Sequence, residues 1–238
     1  STTFRSLRHK NVRKYLGGLA ISQIGAWVQF TTVAVVVDRL TESTTAIGVL
    51  TALQFGPLLV IGAWAGSLSD RVDRHRVVLI TQSLMAAQAV LLALAHVAGT
   101  LTLGFVYAAT LMLGIVSALD NPSRRGFLTE LVAPEEISNA MSLNTATMTG
   151  SRIFGPAIAA LLISPCGVGW MFVINAVTSV AIILSIITID RSLVTEPPRV
   201  AKGGQPIREA VRFIAQTPLF GSVFIIYTVV STFGYNHN

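Results

Sequence analysis

Long apolar stretches with almost no charge make up most of the chain. Six of them follow one another at residues 15–37, 47–65, 77–97, 101–119, 137–164 and 170–189, and a seventh begins at residue 219. Each is about as long as the roughly 20 apolar residues that an α-helix needs to cross the hydrocarbon core of a bilayer. The pattern therefore predicts an all-α membrane protein, in which a six-helix bundle over residues 15–189 is followed by the start of a seventh span at 219–238.

Polar segments on either side of this bundle predict the remaining parts of the chain. Residues 1–14 are basic, and we expect them to form an N-terminal segment at the membrane surface. Residues 190–218 contain prolines, glycines and charges, which are typical of a linker. Within that linker Ile207, Val211 and Ile214 share one helical face, so we expect a short amphipathic helix lying on the inner leaflet.

Composition supports a membrane protein and argues against several other classes. Hydrophobic residues make up 52% of the chain and charged residues 12%, whereas soluble domains carry about 25% charged residues. The single cysteine, Cys166, cannot form an internal disulfide, and no histidine or cysteine cluster has metal-ligand spacing. No nucleophile is paired with a base either, so we expect no metal, no cofactor and no enzymatic activity.

The distribution of basic residues predicts the orientation in the membrane. Most of the 17 Lys and Arg residues lie before the first apolar stretch, in the loop at residues 66–76 and in the linker at 190–218. Short loops rich in Lys and Arg stay on the cytoplasmic side. We therefore expect a multi-pass protein of the plasma (inner) membrane with a cytoplasmic N-terminus. No basic surface remains for nucleic acid once the spans are placed.

The loop at residues 66–76 has a distinctive spacing of small, acidic and basic residues. Its glycine, its first acid and its arginines are Gly66, Asp70, Arg71, Arg74 and Arg76. The loop resembles the signature loop between helices 2 and 3 of the major facilitator superfamily of transporters. Where that family usually has a glycine before the second basic residue, this chain has Asp73.

This resemblance implies the N-terminal half of a major facilitator fold, in which two six-helix bundles rock about a central site. It also implies that the loop belongs to a cytoplasmic latch, whose charge pairs form in the outward-open state and break in the inward-open state. Glu130, at the end of the fourth span, is expected to be a further member of the latch. The alternative is that the loop only fixes the topology.

The first apolar stretch carries a stripe of small and polar residues. Gly18, Ser22, Gly25, Gln29 and Thr32 recur at steps of three and four, so they share one helical face. The small residues allow close helix packing, and we expect Gln29 to line the transport pathway. Residues 22–29 also resemble the first helix of one branch of the superfamily, the siderophore and drug exporters related to the enterobactin exporter.

The fourth apolar stretch continues into a charged segment that has two interpretations. The helix either ends at Asp120 and leaves a cytoplasmic loop, or it runs on through Pro122. We favour the continuous helix, because membrane helices tolerate proline. Asp120 and Arg124 are then one turn apart and can pair.

Ionisable groups at membrane depth usually face the bundle interior and serve a function. We therefore assign Asp120, Asn121, Arg124 and Arg125 to the substrate and proton pathway, with Asp120 as the candidate protonatable group. The alternative is an ion pair that only holds the fourth helix against the fifth.

The fifth apolar stretch contains Asn144 and Arg152, which we also assign to the pathway. It carries Gly150, Gly155 and Pro156 in an order that resembles the helix 5 motif of the superfamily's antiporters. The resemblance implies that these three residues shape a helix interface, and it favours antiport.

Together these features predict a secondary active transporter that exports a small molecule, such as a drug or a siderophore, by proton-coupled antiport. The spans are expected to bury three cations, Arg124, Arg125 and Arg152, against one acid, Asp120. This balance favours an anionic or polar aromatic substrate. The expected partners are the lipid bilayer, the substrate, protons and a second, C-terminal bundle. The alternative is a non-transporting membrane subunit, or a half-transporter that needs a partner bundle.

Overall fold

The computed structural model describes residues 2–194, which are almost entirely helical and, within that range, contain no strand. Six long helices follow one another along this part of the chain: α1 (Lys10–Thr41), α2 (Thr44–Ser69), α3 (Arg74–Val97), α4 (Leu103–Glu130), α5 (Ile137–Cys166) and α6 (Val168–Ile187). Three short 3₁₀ turns accompany them, at Thr2–Arg8, Pro134–Glu136 and Arg191–Leu193. The linker helix and the seventh span predicted from the sequence lie outside the described residues.

All six helices are long and apolar enough to cross a membrane, so the predicted all-α architecture of six spans is confirmed. The main difference is at the start of α1, which begins at Lys10 rather than Tyr15. Its basic first turns extend the helix beyond the apolar stretch, because Lys and Arg at a helix end can keep their charges in water. The helix of the fourth span continues through Pro122 to Glu130, which confirms the continuous interpretation.

Short polar side chains define where several helices begin. Ser43, Asp73 and Thr102 each accept a hydrogen bond from a backbone N–H in the first turn of α2, α3 and α4, respectively. Such N-caps satisfy donors that have no partner within the helix. The turns between helices are therefore short and well defined.

Packing divides the bundle into neighbouring helix pairs. Helix α1 packs against α5 and α6, α2 packs against α4, and α3 packs against α4 and α6. At the end where α1 begins, here called the basic end, a core cluster forms around Tyr15 and Phe127, whose rings meet edge to face at 5.5 Å. A second cluster, around Val37 and Phe172, fills the opposite end.

The N-terminal segment is fixed to α5 at the basic end. The Oγ atom of Ser6 donates to Oδ1 of Asn139 at 2.7 Å. Arg5 and His9 both contact the carboxylate of Glu136, at 2.8 and 2.6 Å. These contacts place the segment before α1 on the surface of the bundle at the start of α5.

The outer surface of the bundle is apolar. Leu59 is 87% exposed, and Val60 and Val97 are each 83% exposed. Large aliphatic side chains at such exposure are unfavourable in water and are the surface expected against lipid. The bundle therefore presents a hydrocarbon surface outside and collects its polar side chains between helices.

Gly18 allows α1 and α6 to approach closely, which generates a stability prediction. A Cβ atom at Gly18 would lie 2.8 Å from Cβ of Ser185 and 2.9 Å from the carbonyl oxygen of Ala181, whereas one at Gly17 would meet nothing within 4 Å. We expect Gly18→Ala to destabilise the protein by about 1–3 kcal/mol through overpacking. Gly17→Ala should be neutral or stabilising by up to about 1 kcal/mol, through helix propensity.

The measurement is the thermal unfolding midpoint of both variants in detergent, compared with the unmodified protein. The adjacent glycine is the matched control, because both changes add the same methyl group to the same helix. Equal midpoints for the two variants would contradict the close α1–α6 packing.

Candidate functional site

A buried ion pair on α4 lies at the centre of the candidate site. Oδ2 of Asp120 lies 3.2 Å from Nε of Arg124, one helical turn further along. Asp120 is 2% exposed and Arg124 is 5% exposed. Charges removed from water in this way are costly unless they are paired and hydrogen-bonded.

Two side chains of α3 complete the surroundings of Asp120. Thr81 donates its hydroxyl to Oδ1 of Asp120 at 2.7 Å, and Gln82 donates its amide to the same oxygen at 3.0 Å. Sequence reasoning missed both residues. Their signal was a run of three polar residues, Thr81, Gln82 and Ser83, within the third apolar stretch, but only the α3–α4 packing shows which of them contact Asp120.

Arg124 reaches beyond Asp120 towards α5. Its Nη2 donates to Oδ1 of Asn121 at 3.0 Å, and its Nη1 contacts the sulfur of Met148 at 3.4 Å. The carbonyl oxygen of Arg124 accepts a hydrogen bond from the hydroxyl of Tyr15 at 3.4 Å. The guanidinium is thus held in one direction by an amide and a carboxylate, and in the other by a thioether.

A cleft with a volume of about 210 Å³ borders this ion pair and is lined by residues of α1 to α5. Its polar lining consists of Gln23, Gln54, Ser117, Asp120, Asn121 and Arg124. Most of the other lining residues are apolar, among them Leu58, Met85 and Leu113, so the cleft combines a polar patch around Asp120 and Arg124 with apolar walls. It is the described cavity that best matches the predicted pathway.

Aromatic rings form one wall of the cleft. Trp27 and Phe30 meet edge to face at 5.5 Å, and Phe30 meets Phe55 in the same manner at 5.8 Å. All three rings line the cleft. The guanidinium of Arg152 lies 5.5 Å from the ring centroid of Trp27, within the range of a cation–π contact.

Three of the predicted pathway residues do not line this cleft. Arg125 and Arg152 are exposed, and Asn144 is buried in α5 but does not border the cleft. Consecutive residues of a helix point about 100° apart, so Arg125 cannot face the interior together with Arg124. Among the arginines assigned to the spans, Arg124 is the buried one, and the predicted excess of buried cations over acids does not exist in the described bundle.

Gln29 lies between helices and lines a smaller cavity next to the cleft. It is 2% exposed, and it receives a hydrogen bond from Asn175 of α6 at 2.9 Å and donates one to Gln88 of α3 at 2.8 Å. These three amides join α1, α3 and α6 inside the bundle. Gln29 therefore links helices and does not line the main cleft, because its polar atoms are already used by two neighbouring helices.

A second charged cluster lies at the basic end. Arg74, in the first turn of α3, contacts Oδ1 of Asp70 at 2.7 Å and Oε1 of Glu130 at 2.9 Å. Gly126 of α4 makes room for this arginine, because a Cβ atom there would lie 2.5 Å from its Nε. The three charged members predicted from the loop and the end of the fourth span, Asp70, Arg74 and Glu130, therefore form one connected cluster.

Other predicted latch residues occupy different positions. Arg76 is exposed, and its Nε lies 3.3 Å from Oδ2 of Asp73 instead of joining the cluster around Arg74. Arg71 is half-buried in the turn that follows Asp70. A Cβ atom at Gly66 would meet nothing within 4 Å, so the structure offers no packing reason for that glycine.

Asp73, the residue that departs from the usual family pattern, has two contacts that a glycine could not make. Its Oδ1 accepts from the N–H of Arg76 at 3.3 Å and caps α3, while its Oδ2 accepts from Nη2 of Arg191 at 3.0 Å. Burial by itself would raise the pKa of this carboxyl. The hydrogen bonds from Arg191 and Arg76 and the charge of Arg191 outweigh burial, so the pKa lies below its ordinary value of 3.8.

The three residues of the predicted packing motif are inside α5, but they differ in their contacts. A Cβ atom at Gly155 would lie 3.1 Å from the carbonyl oxygen of Ile24 on α1, whereas one at Gly150 would come no closer than 4.0 Å, to Phe154. Pro156 lies within the helix. Gly155 is thus the glycine of the motif at which α5 and α1 come together.

The contacts of Asp73 predict a pH-dependent contribution to stability. Because the folded-state pKa is depressed, this contribution is present above the ordinary pKa of 3.8 and is lost as the pH falls through the lower, folded-state value. Asp73→Asn keeps an N-cap but removes the charge, so it should lower the unfolding midpoint at pH 7 and have a progressively smaller effect as the pH falls below 3.8. Asp73→Ala should cost about 1 kcal/mol more at pH 7, because the cap is lost as well.

The measurement is thermal unfolding of the unmodified protein and both variants between pH 3 and pH 7. Asp38→Asn, an exposed aspartate at the opposite end of α1, is the control. A difference between the unmodified protein and Asp73→Asn that stays constant with pH would contradict the charge contribution.

Comparisons with known proteins relate this chain to transporters. A family model described as transmembrane secretion effector matches residues 1–234. The chain is 22% identical over 192 residues to the staphyloferrin A transporter of Staphylococcus aureus, across 80% of this chain and 48% of that protein. It is 25% identical over 215 residues to the uncharacterized MFS-type transporter YfiS of Bacillus subtilis, across 88% and 50% of the two chains.

The enterobactin exporter EntS of Salmonella typhimurium is a further relative, 23% identical over 199 residues, across 84% of this chain and 48% of the exporter. The chain therefore spans about half the length of the curated relatives it matches. These relatives are described as transporters or exporters, and membership of the family favours a transporter over an enzyme. Because the family model covers nearly the whole sequence, the chain belongs to the transmembrane secretion effector family of major facilitator transporters.

Proposed function

We propose that this chain forms one half of a secondary active exporter of small molecules, which works by alternating access and is driven by proton antiport. The other half would be a second six-helix bundle, supplied by a further part of the protein or by a partner. The exporter would reside in the plasma (inner) membrane with its N-terminus in the cytoplasm. The orientation rests on the clustering of Lys and Arg at the basic end.

The observation that carries this proposal is the pairing of Asp120 and Arg124 beside a cleft at membrane depth. Ionised side chains inside a bilayer are expensive and usually belong to a pathway for ions or polar substrates. A purely structural pair would be equally stable away from any cavity. Here the pair borders the cleft, together with polar residues of α1 and α2.

Proton coupling is assigned to Asp120. A carboxyl group that borders a cleft can exchange a proton with water, and a cation one turn away makes its ionised form tolerable inside the bundle. Thr81 and Gln82 can hold the carboxyl in either protonation state, because a hydroxyl and an amide can act as donor or acceptor. Asp120 can thus change its charge without moving its neighbours apart.

The cluster of Asp70, Arg74 and Glu130 is proposed as the cytoplasmic latch. Its members come from the α2–α3 turn and from the end of α4, so it joins two helix pairs at the basic end. The Asp70–Arg74 pair, in which the Asp70 side chain is 54% exposed, contributes only about 0–1 kcal/mol and can form and break in each transport cycle. The Arg74–Glu130 pair is largely buried, with side chains 16% and 9% exposed, so this surface value does not apply to it.

The substrate is proposed to be a small molecule such as a siderophore or a drug. Support comes from the names of the relatives, one of which transports staphyloferrin A and one of which exports enterobactin. Identities of 22% and 23% support the same class of transporter. The substrate of this chain depends on the residues that line its own cleft.

The latch is tested by Asp70→Asn. Removal of this charge should slow the return to the outward-open state by up to about fivefold, because an exposed pair contributes at most about 1 kcal/mol. Expression and unfolding midpoint should stay near those of the unmodified protein. The measurement is the efflux rate from energised vesicles, with Asp38→Asn as a charge-matched control at the opposite end; unchanged efflux kinetics in Asp70→Asn would argue against the latch.

Coupling is tested by Asp120→Asn, which should abolish export driven by a pH gradient while substrate exchange at equilibrium persists. Removing one partner of a buried pair leaves the other uncompensated and costs about 3–5 kcal/mol. The double variant Asp120→Asn, Arg124→Gln therefore serves as a second test with no isolated charge. Export that still responds to a proton gradient in either variant would remove Asp120 from the coupling mechanism.

A further inference from the structure

We propose that Arg124 and the aromatic wall of the cleft form a subsite for an aryl carboxylate, a planar aromatic group that carries a carboxylate. The inference rests on the proposed function, because it names the chemical class that the cleft accepts. It depends on the unused hydrogen-bonding capacity of one guanidinium and on the rings that face the same cavity.

Arg124 has more donors than its neighbours use. A guanidinium carries five N–H donors. In the described part of the chain, Nη2 bonds to the amide oxygen of Asn121, Nη1 contacts only the thioether of Met148, and Nε has no hydrogen-bond partner despite its proximity to Asp120. Sulfur is a weak acceptor, so a carboxylate oxygen at Nη1 would form a much stronger bond.

Arg124 is not the only group that stabilises the carboxylate of Asp120. Its Oδ1 accepts from both Thr81 and Gln82, and only Oδ2 faces the arginine. Arg124 can therefore bind an anion on its Nη1 side while it stays beside Asp120. This arrangement favours an anion over a cation, because Oδ1 of Asp120 already accepts two hydrogen bonds and Oδ2 faces Arg124, whereas Nη1 of Arg124 has only a thioether beside it.

The aromatic wall determines the other half of the ligand. Trp27, Phe30 and Phe55 form a continuous row of edge-to-face contacts along the cleft that Arg124 also lines. Aromatic ligands gain stacking or edge contacts on such rings beyond simple burial of area. A cleft of about 210 Å³ is below the roughly 300–1,000 Å³ typical of drug-sized ligands, so it takes one aryl group of a ligand.

The test measures binding of three probes to the purified protein carrying this sequence in lipid nanodiscs, by isothermal titration calorimetry. Benzoate has both the ring and the charge, benzyl alcohol has only the ring, and cyclohexanecarboxylate has only the charge. We expect benzoate to bind at least about tenfold more tightly than benzyl alcohol, since one charge-assisted hydrogen bond accounts for that factor. We expect it to bind about twofold to tenfold more tightly than cyclohexanecarboxylate, since only the aromatic contact differs. Equal affinities for benzoate and cyclohexanecarboxylate would overturn the aromatic part, and equal affinities for benzoate and benzyl alcohol the anionic part.

Matched variants connect the binding to the named residues. Arg124→Gln should weaken benzoate at least about tenfold, whereas Arg125→Gln, the same change at the exposed neighbour, should have no effect. Trp27→Leu should weaken benzoate but not cyclohexanecarboxylate, and Trp64→Leu, an exposed tryptophan of α2 outside the cleft, should change neither. Benzoate affinity that is unchanged in Arg124→Gln would overturn the subsite.

Met148→Leu gives a test that does not disturb the buried ion pair. Removal of the sulfur frees Nη1 without changing charge or size appreciably, so benzoate should bind equally well or more tightly; weaker binding would mean that the thioether, and not the arginine, holds the ligand.

The failures of the two proposals remain distinguishable. Benzoate binding that depends on Arg124 in a protein without proton-driven export would refute the proposed function alone, and proton-driven export without such binding would refute the subsite alone.

Discussion

The cost of placing ionised groups inside an apolar bundle is the constraint on which the rest of this structure depends. Asp120 and Arg124 are 2% and 5% exposed, so most of each residue is removed from water. The pair is retained because α3 supplies two neutral donors to one carboxylate oxygen while the arginine lies beside the other. The charge at Asp120 therefore requires α3 to pack against α4. The apolar surface that the two helices share requires the same packing.

Helix α4 connects the two charged clusters. Asp120 and Glu130 are ten residues apart on a continuous helix, which corresponds to roughly 15 Å at 1.5 Å per residue. The same helix carries Gly126, the glycine that accommodates Arg74. A displacement of α4 beside the cleft would therefore also move the end of the helix that carries Glu130. This continuity is a physical basis for linking occupancy of the cleft to the latch, and it exists because the helix passes through Pro122 without ending.

Sequence reasoning performed well where a contact is local and poorly where it is distant. The ion pair of Asp120 and Arg124 follows from their spacing of four residues, and it forms. Gln29 sits on the predicted polar stripe of α1, yet its amide is used by Gln88 and Asn175 from two other helices. Arg152 was assigned to the interior because it lies in the middle of a span, but its guanidinium lies over Trp27 with the residue exposed. Position within a span gives depth in the membrane but not direction around the helix.

The sequence alone determined that the chain crosses a membrane as six helices, because roughly 20 consecutive apolar residues have no other stable arrangement in a bilayer. It also determined which charges lie at the basic end. Only the tertiary structure decided which charge enters the cleft, which polar residues of α3 support it, and that Asp73 caps α3 while it binds Arg191. Those outcomes depend on how each helix is rotated against its neighbours, which follows from packing between segments far apart in the chain.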